Sequence, residues 1–342
     1  MRAPTLTYDV LITGSAGHLG HALMLFLPSL GYRPLGIDIL PSSTTSFVGS
    51  FADRTFISHI LSTNRGIRYV IHAGGLHKPH IISHTNEEFI TTNITGTNIL
   101  VDEVSKCRER ISFVYVSTTS AFGSVLSPSK GQPAVWVDES LISVPKNIYG
   151  LSKTAAEDVC QFFHTKTGMP IIVLRVSRFF QQPDDETGLR KYMSNDNIKV
   201  LELCYRRVDI HDVVQSCICA MEKASQIGFA KYVISAPSPF AGDAKTLQRL
   251  NSDARGVLED VLPGTELAFR ALGWEFLDAF DRIYDSSRAQ VELGWKPVYT
   301  FQAALEKVMK GEDWRSELAV RVGRRGYHAV TTALYTYREL PL

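Results

Sequence analysis

The sequence predicts an α/β fold, a doubly wound parallel sheet followed by a smaller α/β lobe. Three observations carry that reading. Short β-rich apolar runs alternate with helical patterns through the first half of the chain, a glycine-rich turn joins the first run to the first helix, and the alternation breaks after about residue 180. Tyr8 to Thr13, Pro34 to Ile39, Tyr69 to Ala73, Ser112 to Ser117 and Pro170 to Val176 read as buried strands. Residues 18–30, 53–63, 86–108 and 149–167 between them have helical spacing or good helix formers. Strand–helix–strand units close by right-handed crossovers. Helices then cover both faces of a parallel sheet, and ligands gather at the carboxyl ends of its strands.

Gln181 to Gly188 is polar, with a proline and three acids, and reads as a loop. Beyond it the pattern predicts a strand at Ile198 to Cys204, a helix at Asp209 to Ala224, a strand at Lys231 to Ala236 and several short helices. The chain divides on this reading into a sheet domain over 1–180, a substrate-binding lobe over 181–312 and a C-terminal tail over 313–342. Arg321, Arg324 and Arg325 lie in the tail among apolar and tyrosine residues. That mixture suits a packing or oligomer-contact segment better than a nucleic-acid patch.

The 342 residues are 44% apolar and 21% charged, the composition of a soluble globular protein. Lys plus Arg (36) nearly cancel Asp plus Glu (35), so no broad field exists to attract nucleic acid or an anionic membrane. Small molecules are the expected partners. The five cysteines form no CxxC pair, the first residues do not read as a signal peptide, and no apolar run approaches a membrane span. A reducing, cytoplasmic setting is expected.

The chemistry begins at the first strand. Val10-Leu11-Ile12-Thr13 runs straight into Gly14-Ser15-Ala16-Gly17-His18-Leu19-Gly20, and a helical pattern follows. Glycines there permit a tight turn, close approach of backbone N–H groups to a diphosphate, and tight helix–strand packing. Gly14, Ala16, Gly17, His18, Leu19 and Gly20 are therefore candidate dinucleotide contacts. Asp38 ends the next strand, 18 residues after Gly20, where a carboxylate hydrogen-bonds ribose hydroxyls. Ile39 and Leu40 follow it, with no cation to offset a 2′-phosphate, so the expected cofactor is NAD and not NADP. The alternative for Asp38 is a loop-capping acid.

Tyr149-Gly150-Leu151-Ser152-Lys153 places a phenol and an ammonium on one helix face. The preceding strand ends in Ser117-Thr118-Thr119-Ser120, a cluster of hydroxyls. Removing a hydride from a carbinol carbon requires a base for the hydroxyl proton, and a phenol near pKa ~10 is too weak unless a neighbouring cation favours the phenolate. Tyr149 is the candidate acid/base, Lys153 the cation, and Thr118, with Ser117 beside it, the donor to the substrate oxygen.

With these motifs in view, the chain resembles the extended short-chain dehydrogenase/reductases, the NAD-dependent epimerase/dehydratase family, over about residues 8–310. Thr13 to Gly20, Val116 to Gly123, Tyr149 to Lys153 and Leu293-Gly294-Trp295-Lys296-Pro297 match best. The resemblance implies a Rossmann-type sheet to which part of the second lobe returns. It implies that Ser50 and Phe51 flank adenine, that Ala73, Gly74 and Gly75 line the cofactor, and that His77 falls near the nicotinamide. It also implies cofactor contacts for Asn93, Val176 and Ser177, and a homodimer through the helices beginning near Asn86 and Tyr149.

The chain departs from nucleotide-sugar epimerases at Arg178, where they carry an asparagine. Arg178 either grips a substrate phosphate or carboxylate or pairs with Asp184, Asp185 or Glu186. Arg207 and Thr119 are further candidate substrate contacts, although the spacing from Arg207 to Asp212 is shorter than in the family. His77, His80 and His84 have spacing that could suit a metal. Pro79 interrupts them and no carboxylate or thiolate joins them, so loop contacts over the active site are the preferred reading and no metal is expected. The expected function is NAD-dependent hydride transfer at a secondary alcohol or ketone, either as an epimerase or as a dehydrogenase, acting on a nucleotide sugar or another polyol or ketone. The alternative is a catalytically silent NAD-binding sensor or scaffold.

Overall fold

The computed structural model describes residues 8–129, 131–181 and 188–325. β1 (Val10–Thr13) leads through the glycine turn to α1 (His18–Phe26), then β2 (Pro34–Asp38), β3 (Phe47–Val48), α2 (Arg54–Thr63) and β4 (Tyr69–His72). α3 (Asn86–Phe89) passes through a π-helical turn, Ile90–Thr95, directly into α4 (Gly96–Ser105). β5 (Ser112–Thr118), β6 (Val135–Val137), α5 (Ile148–Thr167) and β7 (Ile171–Val176) follow. The remaining elements are α6 (Asn195–Glu202), α7 (Ile210–Ile227), β8 (Phe229–Ile234), α8 (Ala244–Leu250), α9 (Ala254–Val261), α10 (Thr265–Leu272), β9 (Arg282–Tyr284), α11 (Ser287–Leu293), α12 (Phe301–Met309) and α13 (Glu317–Val322).

Seven strands form one parallel sheet in the order β3-β2-β1-β4-β5-β7-β8. Alternate residues of each strand feed opposite faces, as the two-residue period requires. Val10, Ile12, Ile71, Val114, Ile172 and Leu174 pack with α1 and α7. Leu11, Val70, Phe113, Tyr115, Ile171 and Val173 pack with α2, α4 and α5 on the other face. Both layers are buried, which is why the strands read as continuous apolar runs. The chain reverses direction across the sheet between β1 and β4, and a crevice opens there at the carboxyl ends.

α7 and β8 belong to this sheet, so the sheet layer continues well beyond residue 180. The smaller lobe has its own core, including Leu201, Cys204, Phe240, Leu258, Phe269, Phe280 and Trp314. β6 and β9 pair in parallel to make a second, two-stranded sheet. Much of the expected loop, residues 182–187, lies outside the described residues, as do residues 326–342 of the tail. No helix among the described residues is long and apolar enough to cross a membrane.

One expected strand is a helix. Ile198 to Cys204 falls mostly within α6, whose N-cap Ser194 accepts from the Asn197 N–H. All of Asn197 to Glu202 is buried, the polar Asn197, Lys199 and Glu202 included, so no exposed polar face marks the segment as a helix. The Asn197 side chain fixes the segment by exchanging hydrogen bonds with the backbone of Glu275, at 3.0 and 2.9 Å.

α6 ends on Glu202, a fully buried carboxylate at the junction between lobe and sheet. Arg178, Arg206 and Arg207 approach its oxygens at 3.0, 2.9 and 2.7 Å. Burial alone would raise its pKa. The guanidiniums of Arg207, Arg206 and Arg178 override that and hold it at about 2. A folded-state pKa below the unfolded value contributes stability that is present above the unfolded pKa and lost as pH falls through the folded one. Glu202→Gln is therefore expected to destabilise the protein by about 3 kcal/mol at pH 7 in urea unfolding. The gap from wild type should close between about pH 4.5 and pH 2 as the native carboxylate protonates; a gap independent of pH would contradict the assignment.

Candidate active site

The glycine turn is built for close packing. Gly14 has φ +73°, and a Cβ there would lie 2.7 Å from the Gly74 Cα. A Cβ on Gly20 would meet the Gly14 carbonyl oxygen at 2.0 Å, so α1 presses on the turn as closely as a backbone can. Gly17 is the N-cap of α1 and no side chain caps the helix, which leaves its first N–H groups for a ligand anion. His72, buried beneath, joins Thr13 at 2.6 Å to Thr97 at 3.0 Å and so ties β1, β4 and α4 together. Thr97 donates to the Asn93 carbonyl, so its oxygen accepts from His72 Nε2–H, and His72 Nδ1 accepts from Thr13.

Asp38 stands at the end of β2 in the same cleft. Its Oδ2 accepts from the Ala16 N–H at 3.0 Å and its Oδ1 from Leu40 N–H at 2.9 Å. Burial raises its pKa, and backbone donors from Leu40, Ala16 and Ile39 oppose that. The cleft has a volume of about 420 Å³. An uncapped helix end, a turn with no room for a Cβ and a carboxylate at the tip of the next strand fit the diphosphate and ribose of a dinucleotide.

Tyr149 and Lys153 reach the same cleft from the first turns of α5, with Thr118 at the end of β5. The Thr118 hydroxyl lies near the Tyr149 phenol and favours its ionised form. The Lys153 ammonium donates to the Val116 carbonyl at 2.7 Å and lies 4.2 Å above the centre of the Tyr115 ring. Burial lowers Lys153 to about 8, against the opposing influence of Glu157 and Cys160. The expectation that Lys153 depresses the phenol differs from what this state of the protein shows: burial raises Tyr149 to about 12, with only Thr118 opposing it. The ammonium is engaged by Val116 and Tyr115, and desolvation of the phenolate dominates.

Most of the expected cofactor contacts line one cleft: Gly14, Ala16, Gly17, His18, Leu19, Gly20, Asp38, Ser50, Phe51, Ala73, Gly74, Gly75, His77, Val176 and Ser177. Asn93 does not. It is buried and pins the Leu76 backbone at 2.8 and 2.9 Å and the Ser152 hydroxyl at 2.9 Å, so it shapes the wall from behind. Ser117 lines the cleft, but its hydroxyl donates to Glu157 at 2.6 Å. Thr119 is buried and stays off the lining, and Arg178 and Arg207 are both held by Glu202. Asp184, Asp185 and Glu186, the alternative partners of Arg178, lie outside the described residues.

His77, His80 and His84 line the cleft around the 3₁₀ turn Lys78–Ile82, where the His77 N–H donates to His80 Nδ1. Among the described residues no group of His, Cys, Asp and Glu has the arrangement to hold a metal. Sequence reasoning missed Phe179 and Phe180, which line the cleft after β7, and Glu157 below it. Glu157 had a readable signal, since it continues the four-residue spacing of Tyr149 and Lys153 along one helix face.

The NAD-dependent epimerase/dehydratase family model matches residues 10–234. A uronate dehydrogenase from Pseudomonas putida is 25% identical over 195 residues, covering 55% of this chain and 68% of that one. A dTDP-glucose 4,6-dehydratase from Xanthomonas campestris is 22% identical over 342 residues, covering 89% of this chain and 92% of its own. The fold is similar to that of a Thermotoga maritima UDP-glucose 4-epimerase solved with UDP-glucose, with a TM-score of 0.59 at 22% identity over 88% of this chain and 97% of that one. The matched span contains the glycine turn, Asp38, Thr118, Tyr149 and Lys153, and the chain belongs to the NAD-dependent epimerase/dehydratase family, enzymes of the extended short-chain dehydrogenase/reductase type that use NAD.

Proposed function

We propose that this enzyme catalyses hydride transfer at a secondary alcohol or ketone carbon, with Tyr149 as acid/base. The observation that carries this reading is that Tyr149, Lys153 one helical turn on, and Thr118 line the same cleft as the glycine turn and Asp38. NAD, when bound, supplies the hydride acceptor or donor. Tyr149 takes the proton from the substrate hydroxyl in oxidation and returns it to the carbonyl oxygen in reduction. Thr118 holds that oxygen, and Ser117 supports the strand end through Glu157. Lys153, its ammonium at the Val116 carbonyl, would hold the nicotinamide ribose.

Asp38 would accept the ribose hydroxyls, and the residues lining the cleft would hold the rest of the dinucleotide. The substrate class is a nucleotide sugar or another polyol or ketone, and the relatives' named activities, on uronate and on nucleotide-linked glucose, support it. A substrate anion would compete with Glu202 for Arg178 and Arg207. A homodimer through α3, α4 and α5 accords with the exposed Ile90, in the π-helical turn between α3 and α4, and Leu151 of α5.

Uronates, sugar phosphates and nucleoside-diphosphate sugars incubated with NAD test the reading. NADH accumulating with product identifies a dehydrogenase, and isomerised product without NADH identifies an epimerase. Tyr149→Phe is expected to cut turnover by about 10²–10⁴ while NAD affinity stays within about twofold. If Tyr149→Phe matches wild type in every assay, the silent sensor or scaffold reading takes over. Because the phenol begins near 12, alcohol oxidation should accelerate as pH rises and more phenolate forms, while ketone reduction should slow. A second expectation concerns Asp38: NADP should bind about a hundredfold more weakly than NAD, and Asp38→Ser should narrow that gap in calorimetric titrations. Equal affinities in wild type would remove Asp38 from the ribose site.

A further inference from the structure

The segment from Gly14 to Leu27, which includes the phosphate turn and α1, contains no Lys, Arg, Asp or Glu. A guanidinium reaches it from the far end of the chain. Trp314 is buried and donates to Asp196 at 3.1 Å, and Ser316 donates through N–H and hydroxyl to the buried Asp209 carboxylate at 3.1 and 2.5 Å. Leu318, Ala319 and Val322 of α13 enter the same core as Leu19, Ala22 and Leu23 of α1. Gly323, at φ +63°, then turns the chain out of the helix. The Arg325 backbone N–H donates to His18 Nε2 at 3.0 Å, and the Arg325 guanidinium reaches His21 Nε2 at 2.7 Å.

Donor and acceptor roles fix the direction of this contact. A guanidinium only donates, so His21 Nε2 accepts and the ring proton sits on Nδ1. Nδ1 then donates to Thr44 Oγ1 at 3.0 Å, and Thr44 donates to the Ser15 carbonyl, inside the phosphate turn, at 2.8 Å. Burial, and after it Arg325, lowers His18 to about 3 and His21 to about 4, so both rings are neutral acceptors at pH 7. On its other side the His18 ring meets Phe180 edge-on at 5.3 Å, and Phe180 stacks on His77 at 5.9 Å. Arg325 is thus continuous with both the phosphate turn and the wall of the cleft.

We propose that the C-terminal segment 313–325 is a working part of the dinucleotide site, with Arg325 as the positioning residue that fixes His18 and the phosphate turn and places a positive charge beside the first turn of α1. This rests on the reading that the diphosphate docks at that turn. A cation there adds to the positive end of the helix dipole, which favours a diphosphate and leaves an uncharged nucleoside unaffected.

Calorimetric titration of wild type, Arg325→Ala, Arg325→Pro and His21→Ala, singly and with Arg325→Ala combined with His21→Ala, against NAD, ADP and adenosine tests the proposal. Arg325→Ala should weaken NAD and ADP about fivefold and leave adenosine within about twofold. Arg325→Pro also removes the N–H donor to His18 and should weaken both by about twentyfold. The loss caused by Arg325→Ala should shrink in the His21→Ala background. Unchanged NAD and ADP affinity in both Arg325 variants overturns the proposal, and so does an equal loss for adenosine, which marks general disruption. Failure of the underlying reading is separately visible, because wild type would then bind ADP no better than adenosine.

Discussion

A single carboxylate with no solvent exposure, Glu157, holds α5, the helix that carries Tyr149 and Lys153, in register with the sheet. It accepts from Ser117 of β5 at 2.6 Å and from Arg175 of β7 at 3.1 and 2.7 Å, and Lys231 of β8 approaches to 3.2 Å. Three neighbouring strands are therefore fastened to one point on α5. Tyr149 and Lys153 precede Glu157 by two turns and one turn, so whatever fixes Glu157 fixes where they emerge at the carboxyl end of β5. Burial raises the carboxyl pKa, and Arg175 and Lys231 bring it back below the ordinary carboxylate range, so the group remains an anion in the core. Removing one member of such a buried set leaves the others charged without compensation, which makes its geometry hard to distort.

The end of the cleft at the glycine turn is organised by different means. Where α5 uses charge, the first βα unit uses the absence of side chains and neutral hydrogen bonds: Gly14 and Gly20 touch backbone, and His72 bridges Thr13 and Thr97. Burial keeps His72 well below its ordinary pKa, so the bridge stays neutral. The uncapped N–H groups of α1 beside this bridge present the positive end of the helix dipole to the cleft. The end of the cleft lined by Tyr149 and Lys153 has the opposite problem. Its phenol is held protonated by burial, and its ammonium is supported by a carbonyl and an aromatic face. The resting arrangement suits a proton donor, and ionising the phenol depends on charge brought close to it.

The sheet was largely legible in the sequence, because strands buried on both faces read as apolar runs and the glycine turn interrupts them with a required backbone geometry. The Tyr149–Lys153 face was legible for the same reason, a four-residue spacing on a long helix. α6 was not, since burial on every side erases the helical period. That one misreading also hid Glu202, and with it the partner of Arg178 and Arg207. The family resemblance implies a cofactor contact for Asn93, but its side chain is turned to Leu76 and Ser152, a choice that spacing does not reveal. The contacts of Arg325 with His18 and His21 span about three hundred residues, so no local pattern announces them. The direction of the Tyr149 shift was out of reach for a related reason: it depends on desolvation, a property of the packed site.

The phenol of α5 and the glycine turn after β1 open into one crevice, and the proposed hydride transfer depends on a dinucleotide seated there. A crystal structure with NAD bound measures this directly. The diphosphate is expected against the Gly14 to Gly20 turn, with the nicotinamide ring beside the hydroxyl of Tyr149. A dinucleotide seated elsewhere, or a Tyr149 side chain turned out of the crevice when NAD is present, would contradict it.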